Sequence, residues 1–192
     1  MKRMYARLRP LLGFAALSLL AAQKADYLRA KSKIDAISTQ LVPAGALVTL
    51  TSAEINAWAE TEAAEKYPGA LRRPVISLGE GRATGEALVD FSKLTSGQGA
   101  GNRLLRTLLE GERPVSVTVR LESAGGMAKV DLERVEIGGV PIQGRTLDLL
   151  LDYVFRPRYP DARIGEPFEL GYNMEAIRVR PERVDINIKN YK

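Results

Sequence analysis

The sequence predicts an α+β domain in which a curved antiparallel sheet of about seven strands packs against amphipathic helices. Most segments that alternate between apolar and polar residues come in pairs joined by short turns, which is typical of antiparallel hairpins. The stretches between these pairs carry apolar residues at helical spacing. Because hairpins provide no crossover connections, we expect the helices to cover one face of the sheet.

The segment LTSAEINAWAE combines the first strand with the first helix of this domain. Thr51 and Glu54 have the three-residue spacing of a capping box, which predicts that a helix begins directly after the strand. Ile55 and Trp58 open an apolar stripe on that helix. Pro68, followed by glycine, predicts its end.

Three predicted hairpins follow. Residues 72–79 pair with 82–91, residues 115–122 pair with 130–137, and residues 174–180 pair with 183–189. In the second hairpin the apolar positions change phase after Leu132, since Val135 and Ile137 continue the alternation one residue out of step. A slip of one residue at Glu133-Arg134 is what a β-bulge produces, and bulges bend sheets.

Two further helices are predicted between the hairpins, over residues 102–111 and 146–155. Each carries a leucine-rich stripe on one face. The stripes consist of Leu104, Leu105, Leu108 and Leu109 in the first helix and of Leu147, Leu150, Leu151 and Val154 in the second.

Residues 1–22 have the composition of a secretory signal. Four basic residues precede an apolar run over residues 11–22, which ends in two alanines. The alternative is an uncleaved membrane anchor, although twelve residues are fewer than the roughly 20 that span a bilayer. We expect export to the periplasm or cell envelope, a tether or short helix within 23–45, and one domain over 46–192.

The charge distribution argues against a nucleic-acid partner. The formal net charge is +5, from 28 basic and 23 acidic residues. Four of the basic residues and none of the acidic ones lie in 1–22, so the remainder is almost neutral and a poor binder of phosphate backbones. The chain has no Cys and no His, which excludes disulfides, Cys/His zinc sites and Ser-His-Asp triads. We expect no cofactor and no metal.

The distinctive feature is the amount of apolar surface on strands and helices. One interpretation is that these faces simply cover one another as an ordinary core. The other is that helices and sheet close incompletely and leave a groove for the acyl chain of a lipid, since each buried methylene contributes about 0.8 kcal/mol. The predicted lining consists of Ile55, Trp58, Leu104, Leu105, Leu108, Leu147, Leu150, Leu151 and Val154.

Arginines near the third helix are the candidates for contact with a lipid headgroup, because guanidinium forks suit phosphate. These are Arg156, Arg158 and Arg163, beside the aromatic Tyr153, Phe155 and Tyr159. The other arginine groups, such as Arg178, Arg180 and Arg183, are expected to pair with neighbouring acids on the surface.

An enzyme is the least favoured class. Asp148 and Asp152 share a helix face, but a solvated polar face opposite the leucine stripe explains them better than paired catalytic carboxylates. We therefore predict no catalytic residues. The alternative to lipid binding is an envelope assembly protein that docks a protein partner through apolar helix faces or a sheet edge.

The order LTSAEINAWAE, hairpin, VEIGGVPI, helix and the final MEAIRVRPERVDINI hairpin resembles bacterial TULIP-like lipid-binding envelope proteins of the LmeA and YceB type. The resemblance extends over residues 46–189. It implies a half-barrel around a long helix, binding of a phospholipid-like molecule, a membrane surface as partner and no catalytic residues. Unlike lipoprotein members, this chain has no Cys to carry a lipid.

Overall fold

The computed structural model describes residues 9–94, 109–156 and 164–190, and for residues 9–20, 153 and 154 it describes the backbone only. Within these ranges the helices are α1 (Arg9–Ser38), α2 (Ser52–Lys66), α3 (Phe91–Leu94) and α4 (Gly144–Leu150), which a π-helical turn, Leu151–Phe155, continues. The described helices include none that is both long and apolar enough to cross a membrane.

The described strands form two antiparallel sheets. Their bounds are β1 (Leu47–Thr51), β2 (Leu71–Gly79), β3 (Arg82–Asp90), β4 (Glu112–Ala124), β5 (Met127–Ile137), β6 (Val140–Pro141), β7 (Pro167–Glu169), β8 (Met174–Arg180) and β9 (Arg183–Ile188). The three-stranded sheet has the order β1-β9-β8, and the six-stranded sheet has the order β2-β3-β4-β5-β6 with β7 also on β5. The predicted α+β class is confirmed.

The C-terminus of α1 and the N-terminus of α2 are both capped by local hydrogen bonds. Helix α2 begins with the predicted capping box, in which the Thr51 hydroxyl accepts from the Glu54 N–H and the Glu54 carboxylate accepts from the Thr51 N–H. Helix α1 ends in a Schellman arrangement, since Leu41 N donates to the carbonyl of Ala36 and Gln40 adopts a left-handed conformation. These caps set where the chain turns from helix to strand and from strand to helix.

The predicted bulge in the second hairpin is confirmed. Thr118 pairs with Arg134 and the next residue, Val119, pairs with Leu132, so Glu133 is the extra residue. The bulge explains why Leu132 and Val135 both belong to the apolar side of β5 although two residues, rather than one, lie between them.

The two sheets meet where β8 crosses the turn ends of two hairpins. The Ser123 hydroxyl exchanges hydrogen bonds with the N–H and C=O of Ile177 at 2.7 and 2.6 Å. Gly81 N donates to Val179 O at 2.9 Å, and Gly126 N donates to Glu175 O at 2.8 Å. The outer edge of β8 is therefore hydrogen-bonded at three positions to the six-stranded sheet.

The apolar interior consists of two clusters, one on each sheet. The first lies on the six-stranded sheet, and its buried members are Val89, Phe91, Val135, Ile137, Ile142 and Leu150. The second lies between the three-stranded sheet and helices α1 and α2, and its buried members are Ala30, Ile37, Leu50, Ile186 and Ile188. We refer to them as the large-sheet cluster and the small-sheet cluster.

Several details differ from the sequence predictions. The strands within the described ranges number nine in two sheets rather than about seven in one. The short β6 and β7 carry no alternating pattern, and sheet membership is decided by strand pairing. The short helix α3 was not predicted. Residues 23–38 belong to α1 and contribute the buried Ala30 and Ile37, so this segment is packed against the domain. The predicted helix at 102–111 lies almost wholly outside the described residues.

Candidate functional site

In the described part of the chain, a cavity lies between β5 and the segment that leads into α4. It has a volume of about 440 Å³. Its lining residues are Leu132, Glu133, Arg134, Val135, Pro141, Ile142, Gln143, Gly144 and Leu147. We call it the β5–α4 cleft. Its volume falls within the range of small-molecule sites.

The floor of the cleft is apolar and continuous with the large-sheet cluster. Val135 and Ile142 are buried members of that cluster, and Leu132 and Leu147 are half-buried against it. The N–H of Ile142 donates to the carbonyl of Val135 at 2.8 Å, which holds the segment before α4 close to β5. The same side of the sheet continues through Val117, which is in register with Val135 on the neighbouring strand.

Two charged residues of the bulge region, Glu133 and Arg134, are among the lining residues of the cleft. Glu133 accepts from the Nε atoms of Arg82 and Arg120, both at 2.7 Å. The hydrogen bonds from these two arginines lower the pKa of the Glu133 carboxyl below its usual range. The next residue, Arg134, pairs with Glu136 on the same strand. Arg120, Arg134 and Glu136 alternate with the apolar residues of their strands, so these ion pairs lie on the face of the sheet opposite Val117 and Val135.

The structure places the predicted lipid-lining residues of α4 on this side of the molecule. Leu147 lines the cleft, Leu150 is buried in the large-sheet cluster, and Leu151 is half-buried in the π-helical turn. The side chain of Val154 lies outside the described residues, as do Leu104, Leu105 and Leu108.

Ile55 and Trp58 lie elsewhere. Both are half-buried against the small-sheet cluster, where Ala30 of α1 and Leu50 of β1 are their buried neighbours. The structure therefore does not bring these two residues together with Leu147. Periodicity assigned the stripe on α2 correctly but carries no information about which sheet the stripe covers.

Of the three predicted headgroup arginines, the structure describes one. Arg156 is exposed at the end of the π-helical turn and forms an ion pair at 2.9 Å with Asp152, one turn earlier. Arg158 and Arg163 lie outside the described residues. Asp152 is one of the two carboxylates that were weighed as catalytic candidates, and this ion pair gives it a cationic partner.

A buried carboxylate holds α1, β1 and α2 together. Glu54, whose exposed fraction is 3%, accepts from Lys33 Nζ at 2.7 Å, and the same ammonium donates to the carbonyl of Thr49 at 2.7 Å. Burial raises the pKa of Glu54, but the hydrogen bonds from Lys33 and from the Thr51 N–H, together with the charges of Lys33 and Arg29, outweigh it and leave the pKa lowered. Its role is structural, because its partners are all groups of the fold.

A second buried carboxylate, Asp185, lies opposite Thr49 in the three-stranded sheet. It accepts from the Thr49 hydroxyl at 2.8 Å and from Arg183 Nε at 3.3 Å, and Arg180 Nε lies 3.7 Å away. The hydrogen bond from Thr49 lowers the pKa of Asp185, and with the two arginines it outweighs the opposing effect of burial.

Sequence reasoning missed most of the cleft. Leu132, Val135 and Ile142 were identified only as strand and turn residues, and the phase slip at Glu133 was interpreted as a bend rather than as the wall of a site. That slip, followed by the IGGVPI turn that returns the chain to β5, was the one available signal.

No group of acidic side chains in the described ranges is arranged to hold a metal ion. The chain matches no protein-family model, and no curated protein matches it.

Proposed function

We propose that the protein is a non-enzymatic lipid-binding protein of the cell envelope that holds part of an acyl chain in the β5–α4 cleft. The observation that carries the proposal is the apolar floor of the cleft, with the exposed Glu133 and Arg134 also among its lining residues. A lipid needs this combination, because its chain requires an apolar surface while its headgroup stays among polar groups. The proposal keeps Leu147 as a contact residue and adds Ile142, Val135 and Leu132.

The size of the cleft limits the affinity with which it can bind an acyl chain. At about 0.8 kcal/mol for each buried methylene, six methylenes would contribute roughly 5 kcal/mol. That corresponds to a dissociation constant of about 0.2 mM before any ordering cost. Tighter binding requires contact with more of the large sheet, and the half-buried Val115, Val117 and Ala87 extend the apolar surface in that direction.

The export prediction and the resemblance to TULIP-like envelope proteins support the same function independently of the cleft. Both rest on sequence pattern, so they point to a compartment and a ligand class rather than to one lipid.

The test is to fill the cleft without disturbing the fold. Leu147→Trp adds volume at a half-buried lining position, and we expect it to weaken binding of a fluorescent phospholipid by about tenfold or more, because the chain and the indole would occupy the same space. Leu41→Trp is the matched control, since Leu41 is 78% exposed and is not among the lining residues of the cleft.

Mass spectrometry of lipids extracted from the purified wild-type protein complements the binding assay. Equal binding by the two variants would place any lipid outside the cleft. A wild-type protein that carries no lipid and ignores added lipid would overturn the proposal.

The alternative function, docking of an envelope protein partner, is favoured by exposed apolar side chains on adjoining loops. Leu41 and Tyr172 are 78% and 54% exposed, and a hydrogen bond of 2.8 Å from Asn173 to Gln40 joins their two loops. A stoichiometric protein partner that is lost on Tyr172→Ser, in preparations that contain no lipid, would favour this function over lipid binding.

A further inference from the structure

We propose that the face of the three-stranded sheet opposite α1 and α2 binds a phosphate group through Arg178, Arg180 and Arg183. This site lies on the other sheet from the β5–α4 cleft and does not depend on the function proposed for that cleft.

The register of the final hairpin places the charged side chains on one face. Arg178 is directly opposite Asp185, and Arg180 is directly opposite Arg183. Because alternate residues of a strand share a face and directly paired residues face the same way, all four side chains lie on the same side of the sheet. The neighbouring residues Val184 and Ile186 point to the other side, into the small-sheet cluster.

The pairing brings together more positive than negative charge. Two arginines directly opposite each other repel. Asp185 offsets part of this repulsion, with Arg183 Nε at 3.3 Å and Arg180 Nε at 3.7 Å from the same carboxylate oxygen. The three arginines and the one carboxylate sum to a net charge of +2.

The carboxylate acts as an anchor rather than as a competitor for the ligand. Asp185 is 6% exposed, and its other oxygen accepts from the Thr49 hydroxyl at 2.8 Å. It contacts both arginines through their Nε atoms, which lie nearest the sheet. The terminal nitrogens of these two arginines make no hydrogen bond to any described residue.

Arg178 differs from Arg180 and Arg183 because its side chain makes no ion pair or hydrogen bond within the described ranges, and the residue is exposed. A guanidinium presents five donors in a planar fork that matches the oxygens of a phosphate. The carboxylate of Asp185 lies near the Nε atoms of Arg180 and Arg183, and Arg178 is the next residue of β8 on the same face. Three guanidinium forks are therefore available to one anion.

The first experiment titrates the protein with inorganic phosphate and follows the arginine Nε–H signals by NMR, with chloride added at matched ionic strength as the reference. We expect saturable shifts for Arg178, Arg180 and Arg183. Arg178→Gln should weaken binding by about fivefold, which is the effect of roughly 1 kcal/mol for one basic residue at an anionic surface. Arg73→Gln, on the exposed part of β2, is the matched control.

A further variant separates the effect of charge from that of guanidinium geometry, and unfolding measurements separate both from an effect on folding. Arg178→Lys keeps the charge but not the fork, so we expect affinity between that of the wild type and that of Arg178→Gln. Because the Arg178 side chain makes no described ion pair or hydrogen bond, the unfolding midpoint of both variants should match that of the wild type. This keeps a loss of binding distinct from a loss of structure.

A second arm identifies the source of the phosphate group. Co-sedimentation with vesicles of phosphatidylcholine mixed with phosphatidylglycerol, compared with pure phosphatidylcholine, tests a lipid headgroup. Binding only to the mixed vesicles, weakened by Arg178→Gln, supports the site with a headgroup as ligand, and shifts with free phosphate alone support it with a soluble ligand. No response to either, or equal losses for Arg73→Gln and Arg178→Gln, overturns the proposal.

Discussion

The two apolar clusters of this molecule consist of similar side chains but differ in how completely helices cover them. In the small-sheet cluster, two long helices pack onto three strands, and Ala30 of α1 is completely buried against them. On the six-stranded sheet, the described covering elements are the short α3 and α4, and the β5–α4 cleft of about 440 Å³ remains beside Leu147. The comparison teaches that amphipathic stripes alone do not decide between a filled core and a binding surface.

The two regions also differ in whether their charged side chains are buried or exposed. The small-sheet region buries Glu54 and Asp185 among partners supplied by the fold, whereas the large-sheet region carries Glu133 on an exposed rim. A buried ion pair makes the helices depend on one arrangement, since removing either partner leaves an uncompensated charge. We therefore expect the small-sheet region to tolerate change poorly and the cleft region to tolerate it well.

The largest expected effect is that of Glu54→Gln. This change removes the charge that compensates Lys33 and weakens the capping box, so we expect a loss of about 3 kcal/mol in the free energy of unfolding. That is the lower end for breaking a buried pair, because Lys33 keeps about a third of its exposure. Urea denaturation measures it.

The control is Glu65→Gln, a change of the same kind at an exposed position of α2. Equal stabilities of the two variants would mean that the buried pair does not distinguish the small-sheet region.

The next prediction compares added bulk in the two regions. Ala30→Leu places three extra carbons where the side chain is 0% exposed, and we expect about 2 kcal/mol of destabilisation from overpacking. Leu147→Trp adds more volume beside the cleft, and we expect a change of about 0.5 kcal/mol or less, as at positions free to expand. Thermal unfolding of both variants tests the contrast, and a large loss for Leu147→Trp would show that the cleft is not available space.

A smaller effect is expected at the edge of the large sheet. The Asn56 side chain pairs with both backbone groups of Ile76, at 2.7 and 2.9 Å, and so takes the place of a neighbouring strand on the edge strand β2. Asn56→Ala should cost about 1–2 kcal/mol and accelerate hydrogen exchange of the Ile76 amide.

Thr61→Ala is the control for this change, because the Thr61 hydroxyl bonds only within α2. Unchanged exchange at Ile76 in Asn56→Ala would contradict this account of the edge.

The smallest effect concerns pH. The pKa values of Glu54 and Asp185 are both lowered in the folded protein. As pH falls, the unfolded chain therefore binds more protons at these two groups than the folded protein does. Their contribution to stability is therefore complete above the ordinary carboxyl pKa of about 4 and is lost as pH falls through the lowered values.

We expect Glu54→Gln to show a flatter decline in unfolding free energy between neutral pH and this acidic range than the wild type. A parallel decline in the two proteins would assign the acid sensitivity to other carboxylates.

Much of the local structure was predictable because its causes are local. The capping box joins Thr51 and Glu54, which are only three residues apart. The bulge at Glu133 was predicted from a change of phase in the alternation along one strand. The site was less predictable, because the cleft is formed by β5 together with a return segment around Ile142. Their contact depends on a tight turn and one backbone hydrogen bond rather than on a repeating pattern.

The resemblance to TULIP-like proteins and the lipid function proposed from it stay predictions. The structure supplies a cleft of suitable size for them to be tested, at positions that differ in part from the predicted lining. Ile55 and Trp58 contribute to the filled small-sheet cluster, and the cleft is lined instead by residues of β5 and the segment before α4.

By itself, the sequence determined the α+β class, the hairpins, the boundaries of α2 and the position of the bulge, because period, capping and turn residues act over a few neighbours. Only the tertiary structure decided that β1 joins β8 and β9 in a separate sheet and that α1 fills its apolar face. It also decided that Asp185 is buried, with the Thr49 hydroxyl of β1 as a hydrogen-bond donor to its carboxylate. These outcomes depend on pairing between segments more than a hundred residues apart, which no local pattern records.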